Sequence, residues 1–177
     1  MSIIGICGYA RVGKDTMAAY FVSRGYEQRS FADGVRQVAR RDFQWRHLVD
    51  TYGYETAKQK HPYVRQKLIE IGQVARAVCP DIWIRIAFGD PVPDQFADIE
   101  QRDAIRGPTV FSDVRNANEA ARIHVAGGKI ILLTRAGIGP LNDAEREIEQ
   151  IVPDVTVKND GTIGDLWGAA AIILSDE

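Results

Sequence analysis

The sequence predicts an α/β fold on a parallel sheet, and three features point to it. A short apolar run, Ile3, Ile4, Ile6 and Cys7, ends at Gly8 and is followed by a helical pattern. A second apolar run, KIILLT, follows a Gly-Gly turn. Between and after them, strand-length and helix-length segments alternate, the pattern of parallel strands with helical crossovers. With 177 residues, 45% of them hydrophobic, the chain suits one domain with a sizeable core.

The first strand reads as buried on both faces, since its apolar residues run without alternation. DTMAAYFVSRG reads as a helix that Gly25 stops. YEQRSF reads as a second strand. Asp33 is placed to N-cap a helix over residues 34 to 46. Residues 62 to 78 carry Val64, Leu68, Ile71, Ala75 and Val78 at three- and four-residue spacing, with Pro62 suited to the first turn. IWIRIAF is short and is assigned as helix. GDPVPDQFAD, rich in turn formers, reads as a loop. TVFSDV is a strand ending in an acid, NANEAARIHVAGG a helix closed by glycines, and KIILLT a buried strand. RAGIGPLND is a loop before a polar helix around 143 to 151. A last strand lies in DVTVKNDG and a last helix in IGDLWGAAAIIL. The stretch between the second strand and TVFSDV is mostly helical and reads as an inserted lobe.

Composition narrows the function classes. The formal net charge of -2 argues against a dedicated nucleic-acid binder. Cys7 and Cys79 are too few for a disulfide framework, which fits a reducing, cytoplasmic setting. No basic leader is visible before SIIGICGY, and no apolar run approaches the roughly 20 residues that span a bilayer. His47, His61 and His124 lack metal-ligand spacing.

GYARVGKDT, residues 8 to 16, has the Gly-x-x-x-x-Gly-Lys spacing of a phosphate-binding loop. It lies between a strand and a helix, the context the motif requires. Glycines let backbone N–H groups turn inward as an anion nest, and the helix start adds its positive dipole end. Gly8, Ala10, Arg11, Val12, Gly13, Lys14, Asp15 and Thr16 are therefore the nucleotide-binding candidates, with the Lys14 ammonium on the outer phosphates. Asp15 stands where a metal-ligating hydroxyl commonly follows the lysine, and Thr16 supplies the hydroxyl one place later. Asp15 fits a holder of metal-bound water, a group facing an acceptor, or an acid favoured in a helix's first turn. The displaced hydroxyl favours small-molecule kinases over GTPase switches, and no Asn-Lys-x-Asp guanine motif appears. Asp113, at a strand's carboxyl edge, is a candidate to orient Mg²⁺, with Thr16 as the other metal candidate. Arg115 lies within reach of a phosphate.

SDVRNANEAARIHVAGGKIILLTR resembles the phage deoxynucleoside monophosphate kinases, whose members carry Ser-Asp-Val-Arg-Phe-x-Asn-Glu-Ala, a Gly-Gly turn and a strand ending in Arg. The matching residues are Ser112, Asp113, Val114, Arg115, Asn118, Glu119, Ala120, Gly127, Gly128 and Arg135. GKDT at 13 to 16, RQKLIEIGQVAR, DIWI and KNDGTIGDLW resemble further family pieces in the same order, from residue 3 to about 167. Asn116 departs from the family's Phe, and DAEREIE from its His-x-Ser-Glu.

The resemblance implies a three-layer P-loop kinase fold in one domain: a core over 1–33 and 107–177 with about five parallel strands, a helical acceptor-binding insertion over 34–106, and a lid over 135–149. It implies transfer of the ATP γ-phosphoryl group, with Mg²⁺, to a deoxynucleoside monophosphate. The expected partner is that small molecule, not nucleic acid or membrane. The expected setting is the cytoplasm (the host's, if the gene is a phage's), and a homodimer is left open. Lys14, Asp15, Arg115 and Arg135 are the catalytic candidates, with Arg135 also on the donor. Asp33, Arg36, Arg65, Gln73, Arg76, Trp83, Asp113 and Arg115 are the acceptor-site candidates. Arg36 and Arg40 share a helix face at i, i+4. The alternatives are another P-loop kinase, acting on dephospho-CoA or phosphomevalonate, and a nucleotide-gated switch.

Overall fold

The computed structural model describes residues 2–140 and 143–175. Two compact units divide the chain, residues 1–30 with 105–177 and residues 31–104.

The first unit is a parallel sheet with helices on both faces. Its strands are β1 (Ile3–Cys7), β2 (Glu27–Arg29), β3 (Thr109–Val114), β4 (Lys129–Thr134) and β5 (Val155–Lys158), in the order β2-β3-β1-β4-β5. Every pairing is parallel, with Ile4 opposite Val110 on one side and Lys129 on the other. β1 lies at the centre and is buried along its length, as its unbroken apolar run requires. Side chains alternate across the sheet. Ile4 and Ile6 pack with Met17 and Phe21 of α1 (Lys14–Ser23) and with Leu166 and Ala170 of α9 (Ile163–Ser175). A Cβ on Gly5 would fall 2.7 Å from Ile123 of α7 (Ala117–Val125), so that helix covers the opposite face.

The second unit is helical: α2 (Ala32–Ala39), α3 (Phe43–Tyr52), α4 (Tyr54–Lys60), α5 (Pro62–Val78) and α6 (Ile82–Phe88). Two clusters of buried side chains lie within it. One gathers Val35, Ala75, Ile82, Trp83, Ile86 and Ile99; the other gathers Ala39, Trp45, Val49, Ala57 and Val64. Leu68 and Ile71 of α5 pack against both, so the longest helix of this unit joins them.

The structure corrects three local expectations. The helix expected over 34 to 46 is two helices, because Asp42 accepts the Trp45 N–H at 2.8 Å and caps a new start. Asp33 is not an N-cap; Phe31 holds that position, and the Asp33 carboxylate binds arginines instead. The polar helix near 143 to 151 is α-helical only over α8 (Asp143–Arg146), then tightens to a 3₁₀ turn over Glu147–Gln150.

Trp83 is also placed differently from its expected role at the acceptor. It is 2% exposed, and its indole N–H donates to the Gly72 carbonyl at 3.2 Å. A Cβ on Gly34 would meet its ring at 2.9 Å, so the absence of a side chain there lets α2 lie against the indole. No face of the ring is left for a ligand. Trp83→Ala should cost about 3–5 kcal/mol of stability, as deletion of a large core side chain does. Urea unfolding followed by circular dichroism checks this, and an unchanged midpoint would contradict the packing described.

Candidate active site

The loop between β1 and α1 owes its shape to three residues with positive φ: Gly8 at 142°, Arg11 at 69° and Gly13 at 99°. Gly8 has no room for a side chain, since a Cβ would fall 2.3 Å from the Leu133 carbonyl oxygen. Arg11 adopts the left-handed region despite its Cβ, a conformation that costs about 1–2 kcal/mol and persists only when its surroundings hold it. The first bond of α1 runs from the Met17 N–H to the Gly13 carbonyl at 3.0 Å. The N–H groups of the turn before it are thus open to a ligand, at the positive end of the helix.

Lys14 folds back over this loop. Its Nζ donates to the carbonyls of Gly8 and Tyr9, each at 2.8 Å. Burial lowers its pKa, and the positive charge of Arg115 lowers it further, against the pull of Asp15, Glu145 and Asp113. A half-buried ammonium facing backbone carbonyls is poised to exchange them for anionic oxygens, which are stronger acceptors. Asp15 and Thr16 follow in the first turn, Asp15 exposed and Thr16 half-buried. Ala10 and Arg11 lie in the loop, and Val12 is buried beneath it.

Asp113 is the penultimate residue of β3 and accepts a hydrogen bond from Ser30 Oγ at 2.5 Å. The next strand in the sheet's order is β1, so Asp113 and the phosphate loop lie at the carboxyl ends of neighbouring strands. Arg115 has an exposed side chain, and its backbone N–H is held by Glu119. Arg135 follows β4 directly and is exposed. In the segment expected as a lid, Glu149 accepts a hydrogen bond from Tyr9 Oη of the loop at 2.9 Å. Its residues 141 and 142 lie outside the described residues.

Glu119 was not among the candidate catalytic or binding residues. It is 3% exposed, and one carboxylate oxygen accepts the N–H groups of Arg115 and Asn116 at 2.8 and 3.1 Å. The other oxygen accepts Asn116 Nδ2 at 2.6 Å. With Asn116 it forms a capping box at the start of α7, a pairing recognisable in the NANE stretch. Burial and then the negative charge of Asp113 raise its pKa to about 7, against the lowering effect of these hydrogen bonds.

The second unit holds a cavity of about 600 Å³ lined by Asp33, Arg36, Gln37, Arg40, Tyr54 and Arg102, with other residues of the same unit. Asp33 forms ion pairs with both Arg36 and Arg102, the latter at 2.9 Å. Burial pushes the Asp33 pKa up, but hydrogen bonds from Arg102 and Arg36 outweigh it and hold it below the usual carboxylate value. The Arg36 guanidinium also lies 5.7 Å from the Tyr54 ring centre. The cavity carries three arginines against two acids, Asp33 and Glu100, a balance that favours an anion.

The expected acceptor residues therefore divide. Asp33 and Arg36 line this cavity. Arg65 and Gln73 are exposed on α5, Arg76 is half-buried there, and none of the three lines it. Arg102, Arg40 and Tyr54, which were not among the expected acceptor residues, line it as well. Arg40 carried a signal in its i, i+4 spacing from Arg36, but Arg102 lies in an irregular segment without periodicity.

Among the described residues, no group of three or more His, Cys, Asp or Glu side chains is placed to hold a metal ion. Among them also, no helix is long and apolar enough to cross a membrane.

A parallel sheet with β1 central, a glycine loop with its lysine, and an acid at the end of the adjacent strand define a P-loop phosphotransferase. No protein-family model matches the chain. A protein of Acanthamoeba polyphaga mimivirus, described as "Putative deoxynucleotide monophosphate kinase", is 30% identical over 183 residues, which cover 94% of this chain and 93% of that protein. The chain belongs to the same kinase family as this viral protein. Among solved structures, the Aquifex aeolicus shikimate kinase matches with a TM-score of 0.43 at 12% identity, covering 98% of this chain and 96% of that one. The dephospho-CoA kinase of Campylobacter jejuni matches at 0.46 and 12%, covering 99% and 97%. Both likenesses are distant.

Glu119 makes stability depend on pH. Its carboxyl binds a proton more tightly in the folded chain than at its ordinary value of 4.5. The contribution is full below that value, is lost as pH rises to about 7, and does not return above it. Wild-type protein should lose roughly 2–3 kcal/mol relative to Glu119→Gln between about pH 4 and about pH 8. Chemical unfolding across that range measures the gap, and a gap independent of pH would contradict the buried, shifted carboxyl.

Proposed function

We propose that the protein is a deoxynucleoside monophosphate kinase that uses ATP with Mg²⁺ to form the corresponding diphosphate. The observation that carries this reading is the glycine loop with Lys14, in a chain 30% identical over nearly its whole length to a protein described as such a kinase. ATP fits the residues present: positive φ at positions 8, 11 and 13, and a helix start whose N–H groups lack intrahelical partners, are features of a phosphate nest.

When bound, ATP supplies the transferable phosphoryl group and Mg²⁺ neutralises part of its charge. The protein's part is positioning and electrostatics. Lys14, now on the Gly8 and Tyr9 carbonyls, would hold the outer phosphates. Thr16 and Asp113 are the residues that would hold the cation. Arg115 and Arg135 place positive charge at the transferring group. Asp15 is exposed at the first turn. In the helical unit, Arg36, Arg40 and Arg102 bind the acceptor's phosphate, and Asp33 holds two of these guanidiniums in place.

An ADP-release assay with each common dNMP and NMP, and with dephospho-CoA and phosphomevalonate, as acceptor tests the reading. Stimulation by one or more deoxynucleotides is expected, and stimulation only by dephospho-CoA or phosphomevalonate would assign another acceptor. Lys14→Ala should lower kcat/KM by roughly 10²–10³-fold, the scale seen when one electrostatic donor is removed from a reacting oxygen. Near-normal turnover in a folded variant would contradict the role of Lys14. Arg102→Ala should raise the acceptor KM about tenfold while leaving the ATP KM within about twofold. Equal changes in both would argue against an acceptor role for the cavity.

A further inference from the structure

The stretch KNDGTIGDLW is not used by the catalytic reading, yet it grips the phosphate loop at two points. β5 ends at Lys158, and the Asn159 N–H continues the ladder to the Thr134 carbonyl at 2.8 Å. The Asn159 side chain, in a residue 8% exposed, then turns to the loop, and its Nδ2 donates to the Val12 carbonyl at 2.8 Å. The next residue, Asp160, accepts the Ala136 N–H at 2.7 Å. Further on, Asp165 accepts the Thr162 N–H at 2.8 Å at the start of α9. On that helix, Trp167 Nε1 donates to the Thr16 carbonyl at 3.0 Å. One C-terminal segment thus holds a carbonyl of the loop and a carbonyl in the first turn of α1.

The Val12 contact has a geometric consequence. In a trans peptide the C=O and N–H point to opposite sides. Among the described residues no peptide bond is cis. Holding the Val12 oxygen against Asn159 therefore turns the Gly13 N–H away from Asn159. Gly13 must also lack a side chain here, because a Cβ would fall 2.5 Å from the same Nδ2. Without this anchor, the peptide between Val12 and Gly13 has a nearby alternative, since Gly13 tolerates either sign of φ and Arg11 is strained as it stands.

We propose that Asn159 is a positioning residue for the phosphate loop: its hydrogen bond to the Val12 carbonyl fixes the Gly13 N–H toward the bound phosphates, and nucleotide affinity depends on it. The proposal rests on the reading of residues 8 to 16 as the phosphate-binding loop. It does not depend on which acceptor is used.

The test is equilibrium binding of Mg-ATP, by calorimetry, to wild type, Asn159→Ala and Asn159→Ser. Asn159→Ala removes the donor and should weaken ATP binding about tenfold, the scale of a lost buried hydrogen bond. Asn159→Ser keeps a donor on a shorter arm and should fall between the two; it also serves where the alanine variant does not fold. Amide spectra give a second readout: the Gly13 resonance should shift on adding ATP to wild type and shift less in the variants. In turnover, the ATP KM should rise while the acceptor KM stays within about twofold. Folded variants with wild-type ATP affinity and an unchanged Gly13 response would overturn the proposal alone. Wild-type protein that takes up no ATP would overturn the phosphate-loop reading, and this proposal with it.

Discussion

The architecture depends on one constraint: the backbone of residues 8 to 13 must turn its N–H groups toward an anion. That requires positive φ at Gly8, Arg11 and Gly13, a shape an unsupported chain does not keep. The rest of the first unit supplies the support. β1, central and buried, delivers the chain to the turn, and the Leu133 carbonyl of β4 closes in where Gly8 has no side chain. Lys14 holds two loop carbonyls from within, and Asn159 holds a third from the other side. A loop shaped in advance loses little conformational freedom when a ligand binds, so more of the binding free energy appears as affinity.

Electrostatics follows the same division of labour. The phosphate loop has a half-buried cation in Lys14, with Asp113 and Arg115 nearby as one acid and one base. Behind them Glu119 binds the backbone of the turn that carries Arg115, at the cost of a carboxyl surrounded by protein and facing another acid. The helical unit repeats the theme with opposite emphasis: an acid, Asp33, organises arginines around a cavity. An arginine already paired to a carboxylate keeps its guanidinium plane fixed, which favours bidentate recognition of a second oxyanion. The glycine loop is suited to the phosphates of a nucleotide donor, and the helical unit's cavity gathers arginines around an acid.

Much of this was legible in the sequence because it rests on local signals. The GYARVGKDT spacing, the unbroken apolar run of β1 and the three- and four-residue spacing over residues 62 to 78 each encode structure within a few residues, and the helix over Pro62–Val78 has those bounds. The sheet's parallel class followed from alternation alone. What escaped notice depends on partners far along the chain. Trp83 looks like a stacking residue in DIWI, and only packing against α2 and α5 shows that its ring is enclosed. Arg102 belongs to an irregular segment, yet reaches Asp33 across 69 residues of chain. Asn159 reads as a turn residue in KNDG, and its bond to Val12 spans 147 residues. The break between α2 and α3 was a local signal overlooked, since Asp42 before FQW is an N-cap in its own right.

The most direct measurement follows the phosphoryl group itself. ATP labelled at the γ position is incubated with the protein, Mg²⁺ and a mixture of the common dNMPs, and the labelled products are separated. The account predicts label in one or more deoxynucleoside diphosphates, and its loss when Lys14 is replaced by Ala. Label found only in inorganic phosphate, or transferred equally well by the Lys14→Ala variant, would contradict it.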